Sequence, residues 1–487
     1  MKFGHDSPAL KAIVIVVLAS GVGILSYRGV PSEAVHAGMS GPNQFQGRGG
    51  QDLEAQLGQL LFFETGLSTP AGQSCGSCHS AAEGFTVPTS SINQKYGVAT
   101  GAVQGRFGFR SVPTVAYASF LVAGPPQYSA ALQTYVGGLF WDGRATDLAN
   151  QATFPFQNPN EMNDLVHNLG SPALVVQKLQ CTPEAGLFTQ VFGYNIFTKP
   201  TLTVFNDLTE AIAAFEETTQ VSPFTSKYDA YIAGRVQFTA AELDGLRLVT
   251  GSWSGRPGGP AYTTQAQCVL CHAIPDNPSQ GPDLWTNTCY ANLGVPRNPN
   301  NPYYTETNAK TDPAGYNPLG KNFVDLGLGD YLYPEMGLPS GNTGPGSNGQ
   351  GDYLAINGTF KAPTLRNVDL RPYPSFVKAY FHNGVFKDLK TVVHFYNTRN
   401  LTTEPGEVID FTQPNPYANL VGVPLFPEPE YPSPVTLQNP QGLPGNAVNQ
   451  VGNLGLTDKQ ENDIVSFLQT LSDGFEPSPP PPAPGHY

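Results

Sequence analysis

Apolar and polar residues fall at helical spacing in only a few stretches of this 487-residue chain. "DLEAQLGQLLFF" (Asp52–Phe63) and "TAAELDGLRLVTG" (Thr239–Gly251) each open acidic and carry an apolar stripe, which predicts two helices. Their likeness is a weak internal repeat. "LTDKQENDIVSFLQTL" (Leu456–Leu471) has the same period and predicts a late helix that closes the second half. A fourth stripe consists of Leu389, Val392, Val393 and Tyr396, at i, i+3, i+4 and i+7, with Asp388 placed to cap it. On that helix His394 points about 150° from the centre of the stripe. The segments Pro275–Gly351 and Thr402–Leu454 have no such period, are rich in Gly, Pro and Asn, and read as long surface loops. "EPSPPPPAPGHY" at the C-terminus is polyproline-like.

The N-terminus changes the compartment. Lys2 and Lys11 precede an apolar run, Ala12 to Tyr27, that is short for a spanning helix and fits a secretory signal. Cleavage after "VHA" at Ala37 is one expectation; an uncleaved membrane anchor is the other. Either way the body is exported, and the periplasm is the expected location. Charged residues make only 13% of the chain and the net charge is -13, which argues against nucleic acid as a partner.

Six cysteines are present, and four form two close pairs. "CGSCH" holds Cys75, Cys78 and His79; "CVLCH" holds Cys268, Cys271 and His272. C-x-x-C-H is the attachment motif of haem c: two thiols add to the vinyl groups and the histidine becomes the proximal iron ligand. A zinc site would need further Cys or His ligands close by, and a redox dithiol would not explain a histidine in the same place twice. The two motifs lie 193 residues apart, each behind one of the repeated helices. The predicted fold is therefore mainly α, two cytochrome-c-like haem domains with long irregular loops. The boundary is expected near Ser222–Gln237. The resulting division is 1–37 signal or anchor, 38–225 first haem domain, 226–475 second haem domain and 476–487 tail.

Between Ser80 and Glu161 there is no His or Met, so the usual closing ligands are missing next to the first haem. The simpler reading is an open iron, which suits peroxide or oxygen chemistry. His167, further on, reads as a solvated surface residue.

Across "GQLLFFETGLSTPAGQSCGSCH", "FWDGRATDLANQ", "NPNEM", "CVLCH" and "FKAPTLRNVDL…AYFHNGVFKDL", the chain resembles the bacterial di-haem cytochrome c peroxidase family, which includes the MauG-type enzymes. The pieces run in family order from about Asp52 to Leu471. The resemblance implies that Glu161 handles the peroxide proton, that Gln151 lines the same pocket, and that Trp141 helps move electrons between the haems. In the ordinary peroxidases a methionine fourteen residues after the histidine of the "FHNG"-like motif closes the second haem; here that position is Tyr396. A tyrosine ligand is the MauG-type arrangement, and a phenolate favours oxidised iron. The alternatives are Met336, His382 or no sixth ligand, with Tyr396 a core aromatic.

The chain also departs from the family. Ser111 stands where an asparagine helps bind a calcium between the domains, and "VKA" (Val377–Ala379) replaces the expected T-x-P. Cys181 and Cys289 lie outside the haem motifs and are either a disulfide or two lone buried thiols. The implied activity is an oxidoreductase that reacts with hydrogen peroxide at the first haem and is fed electrons through the second. The donor is a small redox protein, cytochrome c or cupredoxin, or the residues of a partner protein in MauG-type oxidative modification. The competing reading is a non-enzymatic di-haem electron carrier.

Overall fold

The computed structural model describes residues 53–121, 123–132, 134–250, 266, 268–275, 281–305, 317, 319–332, 356–399, 401–403, 423–424, 430–431, 451–452 and 454–476. The N-terminal signal or anchor, Met336 and residues 477–487 of the tail lie outside them. The architecture is mainly α. The first half holds α1 (Leu53–Phe63), α2 (Cys75–Cys78), α3 (Ser90–Lys95), α4 (Leu148–Gln157), α5 (Pro172–Leu179), α6 (Ala185–Phe192) and α7 (Thr201–Glu216). The second half holds α8 (Lys227–Ile232), α9 (Ala240–Thr250), α10 (Leu328–Leu332), α11 (Leu389–Thr398) and α12 (Asp458–Gln469). Strands among the described residues form only short two-stranded antiparallel pairs.

Each half is organised by one close helix crossing. α1 buries Leu57, Gly58, Leu61 and Phe62 and crosses α7. A Cβ on Gly58 would stand 1.7 Å from the Ala211 carbonyl oxygen of α7, so only glycine allows the approach. In the second half α9 crosses α12, and a Cβ on Gly245 would stand 2.0 Å from the Asp463 carbonyl oxygen. The two helices of the weak repeat thus share a glycine contact as well as a stripe. Apolar residues gather accordingly. One cluster runs from Leu57 to Val221 and borrows Leu284; a second runs from Tyr228 to Leu471.

The expectation of surface loops fails for residues 281–305. Trp285, Tyr290 and Tyr304 are buried there. Asparagine side chains replace regular secondary structure in this segment: the Oδ1 atoms of Asn292, Asn298 and Asn301 accept the backbone N–H two residues on, at 2.9, 3.1 and 3.0 Å. The amides of Asn298 and Asn301 also reach the first half. Asn298 Nδ2 donates to the Tyr96 carbonyl at 2.7 Å and Asn301 Nδ2 to the Phe109 carbonyl at 2.8 Å. The segment is an internal joint.

Cys181 is exposed on the first half and Cys289 is buried in the second, and both are free thiols, so the disulfide reading is not met.

Candidate active site

α2 is a single turn that sets the first C-x-x-C-H. Ser74 and Ser77 cap it, and the His79 N–H donates to the Cys75 carbonyl at 2.9 Å. The His79 Nδ1 lies 3.0 Å from the Phe85 carbonyl oxygen, which turns Nε2 towards the cavity. At the second motif the His272 N–H meets the Cys268 carbonyl at 2.8 Å, and its Nδ1 lies 3.1 Å from the Trp285 carbonyl oxygen. Burial pulls both imidazoles down to about 4, so both are neutral and able to ligate a metal. Burial pushes the thiols of Cys78 and Cys268 up to about 12. Cys289, which sequence reasoning left outside the haem motifs, lies against Cys271: its thiol hydrogen bond lowers Cys271 and raises Cys289 itself.

Each motif faces its own cavity. The one at Cys75–His79 holds about 1530 Å³ free of protein atoms, and the one at Cys268–His272 about 1520 Å³, both partly open to solvent. Trp141, Lys361 and Pro363 line both cavities and form their common wall. The Trp141 indole N–H donates to the Ser111 carbonyl at 2.9 Å. Lys361 holds the wall together: its N–H donates to the Trp141 carbonyl at 2.9 Å and its Nζ to the Gly138 carbonyl at 2.8 Å.

Gln151 and Glu161 line the first cavity. Gln151 sits on α4, whose N-cap is Asp147. Glu161 Oε1 accepts from Asn158 Nδ2 at 2.7 Å. Burial pushes the Glu161 carboxyl up, against the pull of Arg144 and Asn158. Four charged residues missed from sequence share this cavity: Arg110, Arg144, Glu216 and Lys361 of the common wall. Glu216 is fully buried with no hydrogen-bond partner at Oε2, and burial, then Glu217, pushes it up to about 8. Met162 also lines the cavity, but as part of the apolar cluster with Leu67 and Phe156. His167 is exposed, away from the cavity.

In the second cavity the whole stripe of α11, Leu389, Val392, Val393 and Tyr396, lines the wall together with Arg399. Burial, then Cys271 and Cys268, pushes the Tyr396 phenol up, and the Arg399 guanidinium opposes this. His394 faces elsewhere: its Nδ1 lies 2.8 Å from Glu461 Oε1 and its Nε2 2.6 Å from Thr398 Oγ1. His382 also lines the second cavity, but its ring stacks on Phe360 at 3.5 Å between centroids and its Nε2 lies 3.6 Å from Glu430.

One signal in the sequence went unused. "FWDGRATDL" (Phe140–Leu148) and "FHNGVFKDL" (Phe381–Leu389) follow the same rule, F-x-D/N-G-x-x-x-D-L. Aligned on it, Trp141 matches His382, and Pro155 matches Tyr396. Pro155 lines the first cavity from within α4, as Tyr396 lines the second from α11.

A family model described as di-haem cytochrome c peroxidase matches residues 52–237. The methylamine utilization protein MauG of Paracoccus denitrificans is 32% identical over 437 residues, 89% of this chain and 92% of that protein. The cytochrome c551 peroxidase of Nitrosomonas europaea is 30% identical over 72% of this chain and 74% of its own. Among solved structures, the diheme peroxidase BthA of Burkholderia thailandensis superposes with a TM-score of 0.63 at 26% identity, covering 88% of this chain and 87% of that one. The chain belongs to the di-haem cytochrome c peroxidase family. It is an oxidoreductase of the peroxidase or MauG-like type, and the family's cofactors are haems.

The residues fit that cofactor. Two cavities of matched size each carry a thiol pair and a neutral histidine whose Nδ1 is held by a carbonyl. The orphaned oxygens Gln73 Oε1 and Glu216 Oε2 belong to residues lining the first cavity.

Proposed function

We propose that this enzyme carries two covalent haems c, reacts with hydrogen peroxide in the first cavity, and draws electrons across Trp141 from the second. The observation that carries the reading is the common wall: one indole touches both cavities, each beside its own C-x-x-C-H. Cys75 and Cys78 would anchor the first haem and Cys268 and Cys271 the second, and His79 and His272 would ligate their irons. The chain divides into a first haem domain, 38–225, and a second, 226–475, in agreement with the two apolar clusters.

When bound, the haems supply iron that coordinates peroxide and passes single electrons. The protein's part is proton handling and access. Glu161 takes a proton from one peroxide oxygen and returns it to the other, which leaves as water. Its buried setting suits a group that alternates between charged and neutral forms. Gln151 orients the peroxide by its amide. Pro155 presents neither O–H nor side-chain donor atoms on the face where Tyr396 stands in the second cavity, so peroxide has room in the first. Tyr396 would be the side chain that ligates the second haem, and the nearby Arg399 favours its phenolate form. The His382 alternative is weaker because its ring is stacked on Phe360 and its Nε2 faces Glu430.

The electron donor is a small redox protein, a cytochrome c or cupredoxin, or the residues of a partner protein. The enzyme is exported to the periplasm; no helix among the described residues is long and apolar enough to cross a membrane. Electron paramagnetic resonance and optical spectra of the ferric protein, before and after peroxide, test the reading. The expected result is one high-spin and one low-spin haem, with peroxide altering both. Two low-spin haems inert to peroxide would overturn it. Tyr396→Phe is expected to change the second haem alone; an unchanged spectrum sinks the tyrosine assignment. Turnover with a reduced cytochrome then separates the two donors.

A further inference from the structure

Lys378 is a lysine buried to 4% exposure in the segment that leads into the Phe381 turn. Its Nζ donates to three carbonyl oxygens: Glu83 at 2.7 Å, Leu370 at 3.0 Å and Asn367 at 3.2 Å. An ammonium has three N–H donors, and this cradle takes all of them. Glu83 lies four residues past His79 on the first half; Asn367 and Leu370 lie on the second. Burial, with a smaller push from Arg371, pulls the ammonium down to about 7, while Asp369 and Glu83 act to keep it charged. The three carbonyl dipoles act the same way.

The surrounding joint is closed by protein donors. Asn93 Nδ2 donates to the Val377 carbonyl at 3.0 Å, and the Val377 N–H donates to Ser90 Oγ at 2.9 Å. Ser111 Oγ donates to the Phe381 carbonyl at 2.5 Å, and its N–H to the His382 carbonyl at 2.6 Å. Members of the family often bind a calcium ion in this region, where this chain departs from them at Ser111 and Val377–Ala379, and calcium needs six to eight oxygen ligands. The residues do not fit it. The Phe381 and Val377 carbonyls are met by protein donors, the Ser111 hydroxyl and the Asn93 amide. Among the described residues no group of three or more His, Cys, Asp or Glu is placed to hold a metal ion.

We infer that the Lys378 ammonium is this chain's built-in bridging cation, tying the stretch after His79 to the segment entering the Phe381 turn and making the joint between the two halves independent of calcium. The inference rests on the two-haem reading for its readout. The test uses the full-length holoenzyme. Treatment with a calcium chelator is expected to leave peroxide turnover and both haem spectra unchanged, and added calcium to change neither. Lys378→Met is expected to slow electron transfer between the haems by on the order of tenfold to a hundredfold through misplacement of the two halves. Haem content and the binding of peroxide to the first haem should remain. Lys378→Arg, which keeps the charge, should retain most of the transfer rate, a rescue that a purely packing role would not give. Chelation that abolishes turnover, with recovery on calcium, overturns the inference even if Lys378→Met fails to fold. So does a Lys378→Met enzyme with the wild-type interhaem rate. Failure of the two-haem reading would appear separately, as a wild-type protein without peroxide chemistry.

Discussion

The turn at Phe140–Leu148 and the turn at Phe381–Leu389 have the same backbone and face different chemistry. Phe140 and Phe381 both sit at positive φ, 66° and 63°, as do Gly143 and Gly384, 77° and 66°. Asp142 Oδ1 accepts the Arg144 N–H at 3.2 Å, and Asn383 Oδ1 accepts the Val385 N–H at 3.2 Å. Asp147 and Asp388 cap the following helices through bonds of 2.7 Å each. Above this shared frame the side chains diverge. The first cavity receives Gln151, Glu161, Arg144 and a proline; the second receives leucine, two valines and a tyrosine. The scaffold fixes where a side chain arrives, and the residue type decides what each cavity presents, polar and charged groups in the first and apolar groups with a phenol in the second.

The sharpest way to break the comparison is Glu161→Gln. Peroxide turnover should fall by about 10²- to 10⁴-fold, with the second haem's spectrum untouched; stopped-flow mixing with peroxide measures both. Next is Arg110, which bridges Asp142 of the first turn at 2.6 Å and Asp325 of the second half at 2.6 Å. All three side chains are almost fully buried. Removing the guanidinium strands buried Asp325 and leaves Asp142 with Arg144 alone, so Arg110→Met should cost about 3–5 kcal/mol in denaturant unfolding. Burial works to raise both carboxyls, yet Arg110, helped by Arg144 at Asp142, holds them below the usual range. Their contribution is thus complete above the unfolded value near pH ~4 and is lost as pH falls through the lower folded values. Melting temperature followed into acid should show that loss in the wild type and a shallower slope in Arg110→Met.

The helix crossings give a smaller effect and a direct symmetry test. Gly58→Ala and Gly245→Ala should each destabilise by about 1–3 kcal/mol through backbone overlap, read as lowered thermal midpoints. A neutral result at one site would show that the two crossings are not equivalent. Smallest are the caps: Asp147→Ala and Asp388→Ala should each cost about 1 kcal/mol. Only the second should disturb the haem facing Tyr396.

Much of this was legible in the sequence because it is local. The C-x-x-C-H motifs, the stripe of α11 and the cap at Asp388 depend on residues within one or two turns of each other. The repeated turn is equally local, but its copies lie 241 residues apart and differ just after the phenylalanine, Trp141 against His382, which hides the likeness. Other features depend on partners that no local pattern specifies. Lys361 and Lys378 look like surface lysines until the distant carbonyls that receive them are known. Residues 281–305 look like loop until their asparagines are seen to bond into the first half. Cys289, half of a disulfide or a lone buried thiol by sequence, lies against Cys271 of the second C-x-x-C-H.

The common wall has a practical corollary for anyone dissecting the molecule. Each cavity is completed by the other half: the second needs Trp141, and the first needs Lys361, Pro363 and Thr364. Cutting the chain between Val221 and Tyr228, where the apolar clusters part, would yield two fragments each with a pocket open on one side. Neither fragment would be a miniature of the enzyme, because the cofactor sites belong to the pair of halves and not to either one.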